Sequence, residues 1–213
     1  MRTITTMAAC AAAALSAPAL AATTVLDFEG LGNNELVGNF YNGGAGANYG
    51  ISFSNALGLI DADAGGTGNF ANEASADTVI YFLSGGAATM NVANGFSTGF
   101  SFFYTTNSSG SVTVYDGLNG TGNVLASIDL DPTPTGPGDP GGSGPFNTFR
   151  NYGVSFVGTA LSVDFGGVAN RVAFDNITLG ATSAIVDPVP VPAAGLLLLT
   201  GLGGMALRRR RKA

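Results

Sequence analysis

The chain contains no histidine, no tryptophan and a single cysteine. Without histidine, Ser-His-Asp and Cys-His catalysis are excluded, and the commonest zinc ligand is missing. Cys10 falls inside an N-terminal leader, so the exported part is disulfide-free although its compartment would permit a bridge. Basic residues are scarce away from the ends. Only Arg150 and Arg171 lie in the central region, whereas all fourteen acidic residues lie there, from Asp27 to Asp187. Two arginines against fourteen acids leave that region at net −12, compared with −6 for the whole chain. Such a charge repels nucleic acid and anionic membrane and attracts divalent cations. Helical periodicity is also lacking between Thr23 and Leu179.

The two ends read as targeting segments. Arg2 supplies a positive n-region, Met7 to Leu15 an Ala-rich apolar run, and Ala19-Leu20-Ala21 a small-x-small cleavage site. Together they predict a signal helix, handled by the Sec translocon and signal peptidase and cut after Ala21. At the other end, Asp187-Pro188-Val189-Pro190-Val191-Pro192 is followed by a charge-free run from Ala193 to Leu207, and then by Arg208, Arg209, Arg210, Arg211 and Lys212. A full membrane span takes about 20 apolar residues. This shorter run crosses only with help from Val189, Val191 and snorkelling arginines. The basic cluster stays cytoplasmic by the positive-inside rule, which leaves the preceding domain on the outer side, as the leader requires.

The order Val189-Pro190-Val191-Pro192-Ala193, short hydrophobic helix, Arg-rich end resembles the PEP-CTERM class of sorting signals in its VPLPA variant, with Val191 in place of leucine. The resemblance covers about the last 25 residues. It implies processing by an exosortase-like membrane transpeptidase and a Gram-negative host that makes exopolysaccharide. It also implies passage through the inner membrane to the cell surface or extracellular matrix.

Between the ends, short runs rich in Val, Ile, Phe, Tyr and Thr alternate with Gly, Asn, Asp and Ser. This pattern predicts an all-β domain over 22–180, an antiparallel sandwich of jelly-roll type. Strands are expected at 24–28, 37–41, 50–54, 57–61, 78–83, 87–93, 100–104, 111–115, 123–130, 152–157, 161–165 and 171–179. Val112 and Val114 share one face, and so do Phe100, Phe102 and Tyr104. Asp116 to Gly122 reads as a hairpin loop, with its Gly and Asn residues supplying positive φ. Asp131 to Pro145 holds five prolines and five glycines and reads as a long exposed loop within 131–148, neither strand nor helix. Ala181 to Pro192 reads as a stalk stiffened by proline. The run of Gly99-Phe100-Ser101-Phe102, Val112 to Asp116, Val124-Leu125-Ala126 and Phe174 to Leu179 is similar to the β-sandwich domains common among PEP-CTERM proteins.

Two polar interruptions nominate a site. Asp27-Phe28-Glu29 closes the first strand. In the last strand, Val172 and Phe174 share one parity while Ile177 and Leu179 share the other, so alternation slips at Asp175-Asn176. Either a bulge lies there or Asp175 points inward and needs a partner. With first and last strands as neighbours, Asp27, Glu29, Asp175 and Asn176 can supply several oxygens to a structural calcium ion. The closing segment also resembles the last strand of calcium-containing carbohydrate-binding modules, which implies the same placement. The alternative is that these side chains bond to backbone at a bulge and a turn. Asp61 and Asp63, with Glu73 and Asp77 further along, form a second acidic group, read as a solvated loop or as a surface calcium site. Tyr41 and Tyr49 bracket a Gly-rich loop and are the best candidates for an aromatic sugar platform. Fourteen acids make some carboxylate pair inevitable, and none sits in a sequence setting that raises a pKa. The expected function is therefore non-catalytic, structural or adhesive in an exopolysaccharide matrix, with calcium-supported carbohydrate binding as the alternative and glycan hydrolysis last.

Overall fold

The computed structural model describes residues 23–138 and 142–185. The signal helix, the cleavage residues Ala19 and Ala21, the Val189 to Ala193 motif, the hydrophobic helix and the basic cluster lie outside the described residues. Within them the chain forms β1 (Thr24–Leu26), β2 (Ile51–Ser54), β3 (Leu57–Ile60), β4 (Thr78–Tyr81), β5 (Ala87–Phe96), β6 (Gly99–Thr106) and β7 (Gly110–Tyr115). There follow β8 (Val124–Leu130), β9 (Gly136–Pro137), β10 (Ser143–Gly144), β11 (Arg150–Ser155), β12 (Ala160–Gly166) and β13 (Val172–Leu179). No helix occurs among the described residues.

The strands build two antiparallel sheets and one small ribbon. The first sheet runs β11-β6-β13-β4-β3, with β1 also on β13; the second runs β2-β5-β12-β7-β8; β9 and β10 pair with each other. Alternation explains how the two sheets meet. Phe100, Phe102, Tyr104 and Phe174 from the first sheet face Val112, Val114, Val163 and Phe165 from the second, all almost fully buried in one core. Phe165 is the hub. Its ring lies 4.9 Å from that of Phe174, 6.0 Å from Phe100, 6.4 Å from Phe102 and 6.5 Å from Phe53. Such edge-to-face, tilted and stacked pairs add to the stabilisation from burial alone.

The sheets differ on their outer faces. In the second, β5 begins with alternating half-buried and buried residues, because that face meets water. In the first, all eight residues of β13 and all four of β4 are buried. Its outer face is covered by the 61–77 loop and the 131–149 segment, which pack Phe70, Phe146 and Phe149 over Val79, Ala173 and Leu59. The Pro/Gly segment is thus less loose than its composition suggests. It contains the β9–β10 ribbon, and Thr133 is buried with its hydroxyl accepting from Thr106 N at 3.2 Å.

The strand expected at 37–41 is a set of turns. Phe40 N donates to Val37 O at 2.8 Å, Asn42 N donates to Asn39 O at 2.8 Å, and Gly38 takes a φ of 44°. Phe40 is wanted beneath the Gly-rich loop, where a Cβ on Gly46 would strike its ring, and turns rather than an extended strand put it there. The 116–122 hairpin loop forms as read. Asn119, Gly120 and Gly122 take positive φ, and the Asp116 carboxylate closes the loop by accepting from Asn123 N at 2.6 Å and Nδ2 at 2.8 Å.

Phe165→Ala should lower the unfolding free energy by about 3–5 kcal/mol, because it removes the ring on which both sheets close. Val157→Ala, at a 94% exposed position, should change it by less than about 0.5 kcal/mol. Urea denaturation of both variants tests the assignment, and equal effects would refute it.

Candidate functional site

The slipped alternation in the last strand is a bulge, and Asp175 is also inward and buried. Along β13 the pairing with β6 advances from Asp175↔Phe103 to Thr178↔Ser101, so one extra residue is accommodated. Asn176 adopts a φ of 44°, within the left-handed region that Asn tolerates. The extra residue restores parity, and Val172, Phe174, Ile177 and Leu179 all reach the same core. On the far side of β13 from β6, β1 pairs with Leu179 to Ile177 and β4 with Ala173 and Phe174. These are two halves of one strand position, separated where the bulge lies.

Segment 74–78 enters that break. The Asp175 carboxylate accepts from Ala74 N, Ser75 N and Ser75 Oγ, each at 2.8 Å, and from Asn176 N at 2.6 Å. Ser75 Oγ also lies 3.1 Å from the Asp27 carbonyl oxygen. Glu29 holds the end of the same segment, accepting from Asp77 N at 3.1 Å and from Thr78 N at 3.0 Å. The carboxylate of Asp27 instead accepts from the Tyr41 hydroxyl at 3.2 Å. Asn176 Nδ2 donates to Ile185 O at 2.8 Å. Of the four residues nominated for calcium, Asp175 and Glu29 are thus brought to one piece of backbone whose N–H groups occupy their oxygens, whereas the Asp27 carboxylate turns to Tyr41 and the Asn176 amide to Ile185. Among the described residues, no group of three or more His, Cys, Asp or Glu side chains is arranged to hold a metal ion.

The 61–77 loop gathers the second acidic group into a cleft. Asp61, at the end of β3, is buried and accepts from Ala62 N at 2.6 Å. With Asp63 it lines a cleft of about 600 Å³ against Phe70, Ser143 and Asn147, and a recess of about 180 Å³ shared with Glu73 and Asp77. Burial, then the neighbouring Asp61, Asp175 and Asp63 carboxylates, push Glu73 up to about 7. Burial likewise raises Asp61. Burial pushes Asp175 up to about 6, against the pull of the donors from Ser75, Asn176 and Ala74. The expectation that no carboxylate setting raises a pKa is therefore corrected. The reason is tertiary: acids spread over a loop meet only when Asp175 and Glu29 draw segment 74–78 against β13.

The two tyrosines have separate roles. Tyr41 is 3% exposed, with its ring edge-on to Phe28 and Phe40 at 5.8 and 4.9 Å. Its hydroxyl accepts from Phe28 N at 2.7 Å, and burial followed by the Asp27 charge holds it well above the usual phenol range. Tyr41 is thus a support and not a platform. Tyr49 is 43% exposed and stacks on Tyr41 at 5.9 Å with an interplanar angle of 21°. Its backbone N donates to Tyr41 O at 2.9 Å, which closes the Gly-rich loop beneath it.

Tyr49 borders a groove of about 320 Å³ at the pole where Thr24 pairs with Leu179. Ile51, Val92 and Phe96 give an apolar floor; Thr24, Asn94 and Ser97 line it with polar side chains, and no charged residue does. These three side chains make no hydrogen bond among the described residues. Thr24, Asn94, Phe96 and Ser97 carried no sequence signal as site residues. Only their convergence from β1, β5 and the turn after β5 marks them.

No protein-family model matches the chain, and no curated protein does. Among solved structures it is similar to the K2 cleaved adhesin domain of Lys-gingipain, with a TM-score of 0.46 and 12% identity over 74% of this chain and 99% of that one. It is also similar to a glycoside hydrolase family 43 arabinoxylan arabinofuranohydrolase from Bacillus subtilis, with a TM-score of 0.35 and 16% identity over 58% of this chain and 24% of that one. At these scores the architecture rests on the strands and core described above.

The raised carboxyls set a pH dependence. The folded chain keeps protons on Asp175 and Glu73 that the unfolded chain has released. Stability should therefore be fully present below about pH 4 and fall as pH rises through about 6 and then about 7. Glu73→Gln should flatten the upper part of this decline. Urea midpoints from pH 4 to 8 measure it, and a midpoint that rises with pH would refute the assignment.

Proposed function

We propose that this chain is an exported, non-catalytic protein of the cell surface or extracellular matrix. Its leader carries it out, its tail is processed by an exosortase-like enzyme, and its domain adheres to neutral glycan strands of an exopolysaccharide through the Tyr49 groove. The observation that carries the adhesive role is the groove itself: an exposed aromatic face beside hydroxyl and amide groups that bond to no other described residue. A sugar ring offers an apolar C–H face and a rim of hydroxyls, and that pairing matches both features. The absence of charge in the groove favours neutral sugars, and the surplus of acids elsewhere disfavours uronic acids and nucleic acid. The passage of the chain to and fro between two antiparallel sheets supports the jelly-roll reading. The tail motif and leader support the sorting route.

Retention of the mature protein on neutral host polysaccharide should fall at least about tenfold in Tyr49→Ala. It should be unchanged in Asp63→Asn, which alters only the acidic cleft. Failure of the wild type to bind any neutral host glycan would remove the adhesive reading. Glycan turnover lost in Glu73→Gln would replace it with a hydrolytic one. Intact mass of protein recovered from the envelope and medium tests the route. An end between Val189 and Ala193 is expected, and a chain running to Ala213 in the membrane would make the tail a plain anchor.

A further inference from the structure

The segment after the last strand is fastened to the domain. Gly180 takes a φ of 86°, and the chain then turns back over the outer face of the first sheet. Ser101 Oγ donates to Ala181 O at 2.9 Å. The Asn151 amide grips Ala184 in the manner of a strand partner, donating to its carbonyl at 3.2 Å and accepting from its N–H at 3.3 Å. Ile185 N donates to Thr178 Oγ1 at 3.3 Å, and Ile185 O accepts from Asn176 Nδ2 at 2.8 Å. The sheet leaves room for this path, because a Cβ at Gly153 would run into the Thr182 carbonyl. Ala184 is buried at 7% exposure. Residues 181–185, read from sequence as the start of a free stalk, are a strap seated in a groove across β6, β11 and β13.

We propose that this strap sets how far the C-terminal motif stands from the domain, and so how readily an enzyme cuts there. The identity of the motif rests on the sorting reading; the strap does not. Four residues on from Ile185, Val189 lies at most about 14 Å of extended chain beyond the fastening, whereas counted from Gly180 that limit becomes about 30 Å. The fastening consists of a few side-chain hydrogen bonds to backbone with one buried methyl. Opening it therefore costs far less than unfolding the sandwich and leaves the core intact.

Two variants test this in the full-length chain solubilised in detergent. Ala184→Pro removes the N–H that Asn151 accepts and lies outside both sheets. Gly153→Val denies the strap its seat on an edge strand that favours valine. Hydrogen exchange at Ile185, and cleavage between 181 and 193 by an added broad-specificity protease, should both quicken about tenfold in each variant, with exchange in β6 and β13 unchanged. Wild-type rates equal to those of the variants would overturn the proposal, as would faster exchange without faster cleavage. In the native host, both variants should mature faster at the tail. A host that leaves every form uncut, while the added protease discriminates between them, would sink the sorting reading and leave control by the strap standing.

Discussion

A carboxylate removed from water persists only where other donors replace its hydration. At Asp175 the replacements are the neighbouring Asn176 N–H and, from a loop about a hundred residues away in sequence, the Ala74 and Ser75 N–H groups and the Ser75 hydroxyl. Much of the molecule follows from this contact. It fills the gap between β1 and β4, holds the bulge that brings Ile177 and Leu179 back to the core, and draws the 61–77 loop over the sheet. That loop in turn brings Phe70 onto Val79 and Ala173 and gathers Asp61, Asp63, Glu73 and Asp77 into one cleft. The gathered charge is unfavourable, and it is tolerated because Glu73 is held far enough from its ordinary pKa to shed part of its charge near neutrality.

The two sheets divide the work. The second keeps one face in water and contributes Ile51, Val92 and Phe96 to the Tyr49 groove. In the first, β13 and β4 are buried on both faces, with loops over β4 and β3 and the strap over β6, while the edge strand β11 stays exposed or half-buried. β13 ends at the groove's pole, beside Thr24, and the strap then carries the chain back to Asn151 and Asn176.

The fold class was legible because its signals are local. Val112 and Val114 alternate with polar residues on a strand whose other face is wet, and Asn119 and Gly120 supply the turn a hairpin needs. The slipped parity at Asp175-Asn176 was legible too, as a place where something had to happen. Its outcome was not, because a buried carboxylate can be satisfied by a cation or by N–H donors, and the donors here come from Ala74 and Ser75. The 37–41 run misled because an apolar stretch fits a strand or a turn equally well until Phe40 is seen packing against Tyr41.

What the residues determined by themselves was compositional and periodic: no histidine chemistry, no disulfide within the chain, an acidic central region and an all-β body. These depend only on which residues are present and how they are spaced. What the tertiary structure alone decided was the pairing of distant groups. Tyr41 and Tyr49 look equivalent in sequence, yet one is 3% exposed and the other 43%, because Phe28 and Asp27 claim the first and no described residue covers the outer side of the second. Ala181 to Ile185 looks like linker, yet Ser101, Asn151 and Thr178 bind it, because their free faces happen to lie in its path. Burial and partnership belong to contacts between elements far apart in the chain, and no local pattern encodes them.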